Sequence, residues 1–221
     1  MNSIKLNQGF SLEDFPKAKG VLIKKGDLLL YEGDEQAKRA FIIVSGKLEV
    51  RLISGTGHET LLYHLNPGEL VGELAAFGIK ARTATIAATM NTQLLEVPYT
   101  ELVKRMSDSS FVEKISHHFL TRYLRTHDVV SRLGQPNVAM KLCRYFKSLS
   151  DQKDMLGDVV TLKIPSHSEM GKLLSCQRET ITREMKKLVL SGVIIPQEKA
   201  GLFELDIEKN NLLLAGMLDA D

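Results

Sequence analysis

The chain has 221 residues, 43% of them hydrophobic and 25% charged, which suits one large or two modest globular domains with cores that stand unaided. A formal net charge of +2 neither demands nor excludes a nucleic-acid partner, so any basic surface must be local. Cys143 and Cys176 lack the spacing for zinc or an iron–sulfur cluster, no apolar run is long enough to span a bilayer, and the opening MNSIKLNQGFSLEDF lacks a secretory layout; a cytoplasmic, membrane-free protein is expected.

From about Leu22 to Val97 the apolar residues fall in short alternating runs separated by turn signals. LLLYEGD breaks at Gly33-Asp34, and AFIIVSGKLEVRLI breaks at Ser45-Gly46, where a hairpin is expected. In its second arm Leu48, Val50 and Leu52 share one face while Lys47, Glu49 and Arg51 take the other, the period of a strand. GHETLLYHLNPGEL and TATIAATMNTQLLEVP read as further strands. Many short strands at close spacing point to a small sandwich or barrel over residues 1–110.

Inside this territory lies VGELAAFGIKARTATI, Val71 to Ile86. Gly72 lets the backbone come close to a ligand, and GELAAF can open a short helix whose first amides attract an anion. Arg82 adds a fixed fork of donors suited to phosphate oxygens, and Thr83 adds a hydroxyl and a backbone N–H. Glu73 discriminates among anions. An ionised carboxylate only accepts hydrogen bonds, so beside a phosphate it repels unless a ligand hydroxyl lies between. A ribose 2′-OH next to a cyclic phosphodiester meets both demands, which makes a 3′,5′-cyclic nucleotide the expected ligand. The competing reading is a glycine turn with an incidental Glu–Arg surface pair.

From roughly Tyr99 the pattern turns helical. After a short first helix, Phe111 to Leu133 carries neither glycine nor proline. Val112, Ile115, Phe119, Thr126, Val129 and Leu133 fall on one face, with Arg122 filling the gap, so a long amphipathic helix of about 35 Å is expected. A second copy of the chain is the economical cover for that seam; packing on its own barrel is the alternative. GQPN at Gly134–Asn137 ends the helix, and residues 111–136 are read as a dimerisation helix and hinge.

Residues 137–221 open with a helix to about Ser150, a polar loop and a strand, VVTLKIP. SHSEMGKLLSCQRETITREMKKLVLSGVI then holds two helices joined by a tight turn near Leu174-Ser175-Cys176. Ser166 or Ser168 caps the first, and Gln177 or Cys176 opens the second. Ile181, Met185 and Leu188 form the buried stripe of the second helix, leaving Arg178, Glu179, Thr182, Arg183 and Lys186 outward. Arginine pairs two donors with the O6 and N7 of guanine, and glutamate accepts from the amine of cytosine. Lys172, Lys186 or Lys187 and the first amides would hold phosphates. Alternating charge alone also describes an ordinary solvated face. What favours DNA is GVIIPQEKAGLFELDI, whose two β runs around Lys199-Ala200-Gly201 complete a winged helix-turn-helix. The tail NNLLLAGML reads as a short helix packed on this domain, or as a partner surface.

At CQRETITR the resemblance to the recognition helix of the CRP/FNR transcription regulators is close, and VGELAAF…ARTA, with Gly72, Glu73, Leu74, Ala75, Arg82, Thr83 and Ala84, is similar to the phosphate-binding cassette of cyclic-nucleotide domains. The resemblance implies an α+β chain: a jelly-roll-like β-barrel, a long dimerisation helix and a winged helix-turn-helix. It implies Arg178, Glu179 and Arg183 as the base-reading residues, beside which Gln177, Thr182 and Lys186 are further candidates at the DNA, together with a TGTGA-like half-site, a homodimer and RNA polymerase as a further partner. The purine is met at mid-seam in that family, here LRTHDVV; Thr126 and His127 are the assigned pair, with Arg125 and Asp128 left open. cAMP is favoured over cGMP as allosteric ligand. No metal and no catalysis are expected. The rivals are a relative gated by another small molecule, and a nucleotide-sensing subunit that acts on a protein partner.

Overall fold

A computed structural model describes residues 9–35, 38–55, 57, 59–151 and 158–218. Residues 1–8 of the opening segment and most of the polar loop after Ser150, at 152–157, lie outside the described residues. The chain forms two compact units, Met1–Arg125 and Thr126–Asp221, divided within the long helix.

The first unit holds β1 (Lys19–Ile23), β2 (Leu28–Leu30), β3 (Arg39–Ser45), β4 (Leu48–Ile53), β5 (Glu59–Leu65), β6 (Leu70–Val71), a 3-10 helix (Glu73–Phe77), β7 (Thr85–Ala88), β8 (Thr92–Pro98) and α1 (Tyr99–Arg105), and it takes in most of α2 (Ser109–Leu133). Its strands make two antiparallel sheets, ordered β1-β8-β3-β6 and β2-β7-β4-β5. Side-chain alternation along β3 shows why they stack. Ile43 points between the sheets with Leu94 and Val71, meeting Leu48, Val50, Leu65 and Ile86 of the other sheet. Ala40 and Ile42 point the other way, under Leu102 of α1, Phe111 and Ile115 of α2, and Phe10 and Phe15. One sheet is therefore buried on both faces, which period-two alternation permits only when helices cover its back.

The expected hairpin at Ser45-Gly46 is a correction. β3 pairs with β6 and β8, and β4 pairs with β5 and β7, so the chain crosses there from one sheet to the other. Gly46 makes the crossing feasible: its φ is 100°, and a Cβ would lie 2.4 Å from Thr92 Oγ1. A turn glycine between two alternating runs marks a reversal of direction, not a pairing partner.

The seam expected on α2 also shifts. Ile115 is fully buried beneath the β-sheet and Phe119 meets the ring of Phe77 edge-on at 5.5 Å, so the part of that face up to Phe119 belongs to the barrel. The apolar side chains α2 leaves exposed are instead Leu120 (49%), Tyr123 (64%), Leu124 (49%) and Val130 (66%). A helix with apolar residues on two faces gives no sequence signal for which one its own domain takes.

The second unit contains α3 (Val138–Ser150), β9 (Val159–Lys163), α4 (His167–Leu174), α5 (Arg178–Leu190), β10 (Ile194–Pro196), β11 (Leu202–Asp206) and α6 (Ile207–Leu214). Asn137 caps α3 by accepting from the Met140 amide at 2.8 Å, and Ser166 rather than Ser168 caps α4. Ser175 turns the chain between α4 and α5 in the left-handed region, φ 50°. Gly171 lets the turn close, since a Cβ there would sit 2.8 Å from the Cys176 carbonyl oxygen. Ile181, Met185 and Leu188 are buried as the pattern required. The β10–β11 wing is present, and β9 adds to it as a third antiparallel strand. α6 packs on α3: Leu213 is buried and Asn210 donates to the Cys143 carbonyl at 3.3 Å.

The two cysteines differ sharply. Burial raises both thiols, that of Cys143 up to about 12, but Cys143 is buried whereas Cys176 is part-exposed beside the turn. Because the thiolate is the nucleophile, a thiol-titrating disulfide reagent should label Cys176 alone in the native chain and both cysteines in denaturant. Native labelling of both would contradict the packing of α3.

Candidate nucleotide and nucleic-acid sites

Gly72 sits between β6 and the 3-10 helix in the left-handed region, φ 75°. A side chain there would lie 2.6 Å from Arg82 Nη1 and 3.2 Å from the Arg39 carbonyl oxygen, so glycine is needed for the arginine to pass. Arg82 is 6% exposed. Its Nη1 donates to the Gly72 carbonyl at 2.7 Å and its Nη2 to the Arg39 carbonyl at 2.9 Å. Tyr99, the first residue of α1, donates its hydroxyl to the same Gly72 oxygen at 2.9 Å. Burial raises the Tyr99 phenol, with Arg82 opposing and Glu73 assisting, which places both charges close to that ring.

Glu73 has no exposed surface. Its Oε1 accepts from Arg122 Nη1 at 2.8 Å, while Arg122 Nη2 donates to the Leu70 carbonyl at 2.7 Å. His118 Nε2 stands 3.8 Å from the same Oε1, beyond hydrogen-bond length. Burial pushes the Glu73 carboxyl upward, and the Arg122 guanidinium, with a smaller pull from His118, holds it below its ordinary value. Among the described residues, Glu73 Oε2 and Arg82 Nε are both buried without a hydrogen-bond partner.

The structure thus brings Gly72, Glu73 and Arg82 to one stretch of backbone, with Leu74 and Ala75 half-buried in the 3-10 helix and Thr83 exposed. Thr126 and His127 are exposed on α2 in the second unit. Of the residues left open beside them, Arg125 pairs with Glu69 at 2.8 Å and lies over the Tyr63 ring, and Asp128 pairs with Arg132 at 3.2 Å. Three functional neighbours were not assigned from the sequence. Arg122 was visible only as a polar break in an apolar seam, and His118 only as one of a histidine pair. Tyr99 carries no local signal at all.

On α5, Gln177, Arg178, Glu179, Arg183 and Lys186 are exposed on the face opposite the buried stripe. Arg183 Nε donates to Glu184 at 3.1 Å, an exposed contact of the kind that contributes little. Thr182 is half-buried and committed: its hydroxyl lies 2.9 Å from the Arg178 carbonyl oxygen.

Removing one partner of a buried ion pair leaves an uncompensated charge, at a cost of about 3–5 kcal/mol. Arg122→Leu should lower unfolding stability by that order near pH 7, read by urea denaturation. Burial, the largest influence on Glu73, then loses its chief opponent and outweighs the smaller pull of His118, so the native Glu73 carboxyl is expected to move above its ordinary value of 4.5. The penalty should accordingly grow as pH rises through 4.5 and shrink below it. In the parent chain the sign is opposite: the stabilisation is complete above 4.5 and is lost as pH falls through the depressed native value. A penalty that does not vary with pH would remove Glu73 from this account.

A family model of the cyclic nucleotide-binding domain matches residues 21–109. The cAMP-activated global transcriptional regulator Vfr of Pseudomonas aeruginosa is 25% identical over 173 residues, 75% of this chain and 80% of Vfr. The cAMP-activated global transcriptional regulator CRP of Salmonella typhimurium is 27% identical over 164 residues, 72% of this chain and 77% of CRP. In fold, the c-di-GMP responsive global regulator CLP of Xanthomonas campestris aligns with a TM-score of 0.69 at 22% identity, over 88% of this chain and 97% of CLP. These relatives are regulators, not enzymes. The chain thus carries a cyclic nucleotide-binding domain over residues 21–109 and a winged helix-turn-helix beyond it, and along most of its length it is similar to transcription regulators of the CRP/FNR family.

Proposed function

We propose that this protein is a cyclic-nucleotide-responsive regulator, with cAMP the best-fitting ligand, which binds a palindromic operator as a homodimer. One observation carries the ligand reading. Beside Gly72 the described residues keep a buried acceptor with no donor, Glu73 Oε2, and a buried donor with no acceptor, Arg82 Nε. Buried polar groups are almost always satisfied, and although other buried arginines share an unpartnered Nε, Glu73 Oε2 is the one carboxylate oxygen left so among the described residues; with Arg82 Nε it suits a ligand that donates at one and accepts at the other. A ribose 2′-OH beside a cyclic phosphate does both. Arg122 takes up one carboxylate oxygen and leaves the second for the sugar. The cAMP-activated relatives favour adenine, and Thr126 and His127 are the side chains proposed for the base.

The exposed apolar stripe of α2, Leu120, Tyr123, Leu124 and Val130, is the proposed surface for a second copy. A two-fold pair then presents two α5 helices to half-sites about 34 Å apart. Arg178, Glu179 and Arg183 read bases, and Gln177 and Lys186 help to set the helix on the backbone. Nucleotide and operator affinities are linked by one coupling free energy, so each ligand must raise the affinity for the other equally.

Calorimetric titration with cAMP, cGMP and c-di-GMP, with and without operator, tests the ligand. Tightest binding is expected for cAMP, strengthened by DNA and abolished by Arg82→Leu. The tightest binding by c-di-GMP would transfer the sensor reading to a different nucleotide, and no response to any of the three would end it. At the DNA, Arg178→Ala should cost about 1–3 kcal/mol and relax preference at one base pair per half-site. A uniform loss across all sequences would make Arg178 a phosphate contact.

A further inference from the structure

By sequence Thr182 ranks with the outward residues of α5, but its hydrogen bonds give it another role. Thr182 Oγ1 lies 2.9 Å from the Arg178 carbonyl oxygen and 2.9 Å from His167 Nδ1. A hydroxyl has one proton, and a carbonyl oxygen can only accept. With the Thr182 proton given to the Arg178 carbonyl, Oγ1 is left to accept, which assigns His167 the tautomer that carries its hydrogen on Nδ1. In that tautomer the chain is directed, from His167 Nδ1–H to Thr182 Oγ1–H to Arg178 O. It joins the first residue of α4 to the first residue of α5.

The first turn of α5 has reason to need such a brace. Gln177 is its N-cap residue and makes no side-chain capping bond, whereas Asn137 and Ser166 do so for α3 and α4. Unpartnered amides at a helix start let the first turn fray. Thr182 ties the Arg178 carbonyl back one turn, and His167 fixes the rotamer of Thr182 from outside the helix. The tight α4–α5 turn, closed at Gly171, keeps the two helices within that reach.

We infer that His167 is a positioning residue for DNA reading: it locks the first turn of α5 through Thr182, and thereby the backbone from which the Arg178 guanidinium enters a groove. Thr182 is correspondingly a strut, with its one proton already given to the helix. The inference rests on the base-reading role proposed above for Arg178, but the brace itself exists without DNA.

The test has two arms on the full-length chain, using His167→Ala, His167→Asn and Thr182→Val. Asparagine offers an N–H donor near the position of Nδ1, and valine keeps the shape of threonine without its hydroxyl. In the free protein, hydrogen exchange at the backbone amides of residues 181 and 182 reads the brace. It should quicken several-fold in the alanine and valine variants and return towards the parent rate in His167→Asn. In operator binding, His167→Ala should cut discrimination at the base pair read by Arg178 by about fivefold, a fraction of a full bidentate contact. Discrimination at other positions and nucleotide affinity should hold. Unchanged exchange in both variants overturns the brace, and an equal loss at every operator position overturns its link to reading. If Arg178→Ala leaves operator preference untouched, the base-reading assignment fails, and the exchange arm still decides whether His167 braces α5.

Discussion

A carboxylate sealed from water must be held by a cation, and the first unit is arranged around that requirement at Glu73. The partner, Arg122, comes from α2 and divides its guanidinium between Glu73 and the Leu70 carbonyl. Along the same helix Lys114 reaches Asp14 at 2.7 Å and Arg125 reaches Glu69 at 2.8 Å. These flanking pairs are mostly shielded, so salt weakens them less than surface pairs. Phe111 and Ile115 seal the apolar end of the contact. The barrel and the part of α2 up to Arg125 are thus one piece, joined by charge around Glu73 and by apolar packing elsewhere.

That arrangement bears on how a ligand acts. Glu73 is tied to α2 through Arg122, while the Gly72 carbonyl is shared by Arg82 and by Tyr99 at the start of α1. A nucleotide that engages Glu73 and Arg82 changes the surroundings of groups already bonded to both helices. Ligand binding shifts an equilibrium only through such differential contacts. In the second unit the logic is mechanical: a buried stripe fixes α5 on its domain, and a short hydrogen-bonded strut from His167 fixes the end of the helix that carries Arg178.

Much of this was legible in the residues, and the misses share a cause. Period-two runs revealed the β unit, and the three- and four-residue steps of Ile181, Met185 and Leu188 placed the inner face of α5. Gly72, Glu73 and Arg82 stood out because a carboxylate and a guanidinium beside a glycine are a costly combination, and the structure brings the three to one stretch of backbone. Pairing was not legible: nothing in AFIIVSGKLEVRLI says that its two arms join different sheets. Nor was the choice of face on α2, where Ile115 and Leu120 are equally apolar and only the barrel decides which is covered. Arg122 and Tyr99 were missed because their roles depend on neighbours far along the chain. His167 was missed because the commitment of a threonine proton is visible only in three dimensions.

The central claim is that Glu73 keeps one carboxylate oxygen for a sugar hydroxyl. It is tested most directly by comparing the affinities of cAMP and its 2′-deoxy analogue for the parent chain and for Glu73→Gln. The account predicts that loss of the hydroxyl weakens binding to the parent by at least tenfold, about 1.4 kcal/mol, and matters much less once the carboxylate is gone. Equal binding of the two nucleotides by the parent chain would contradict it.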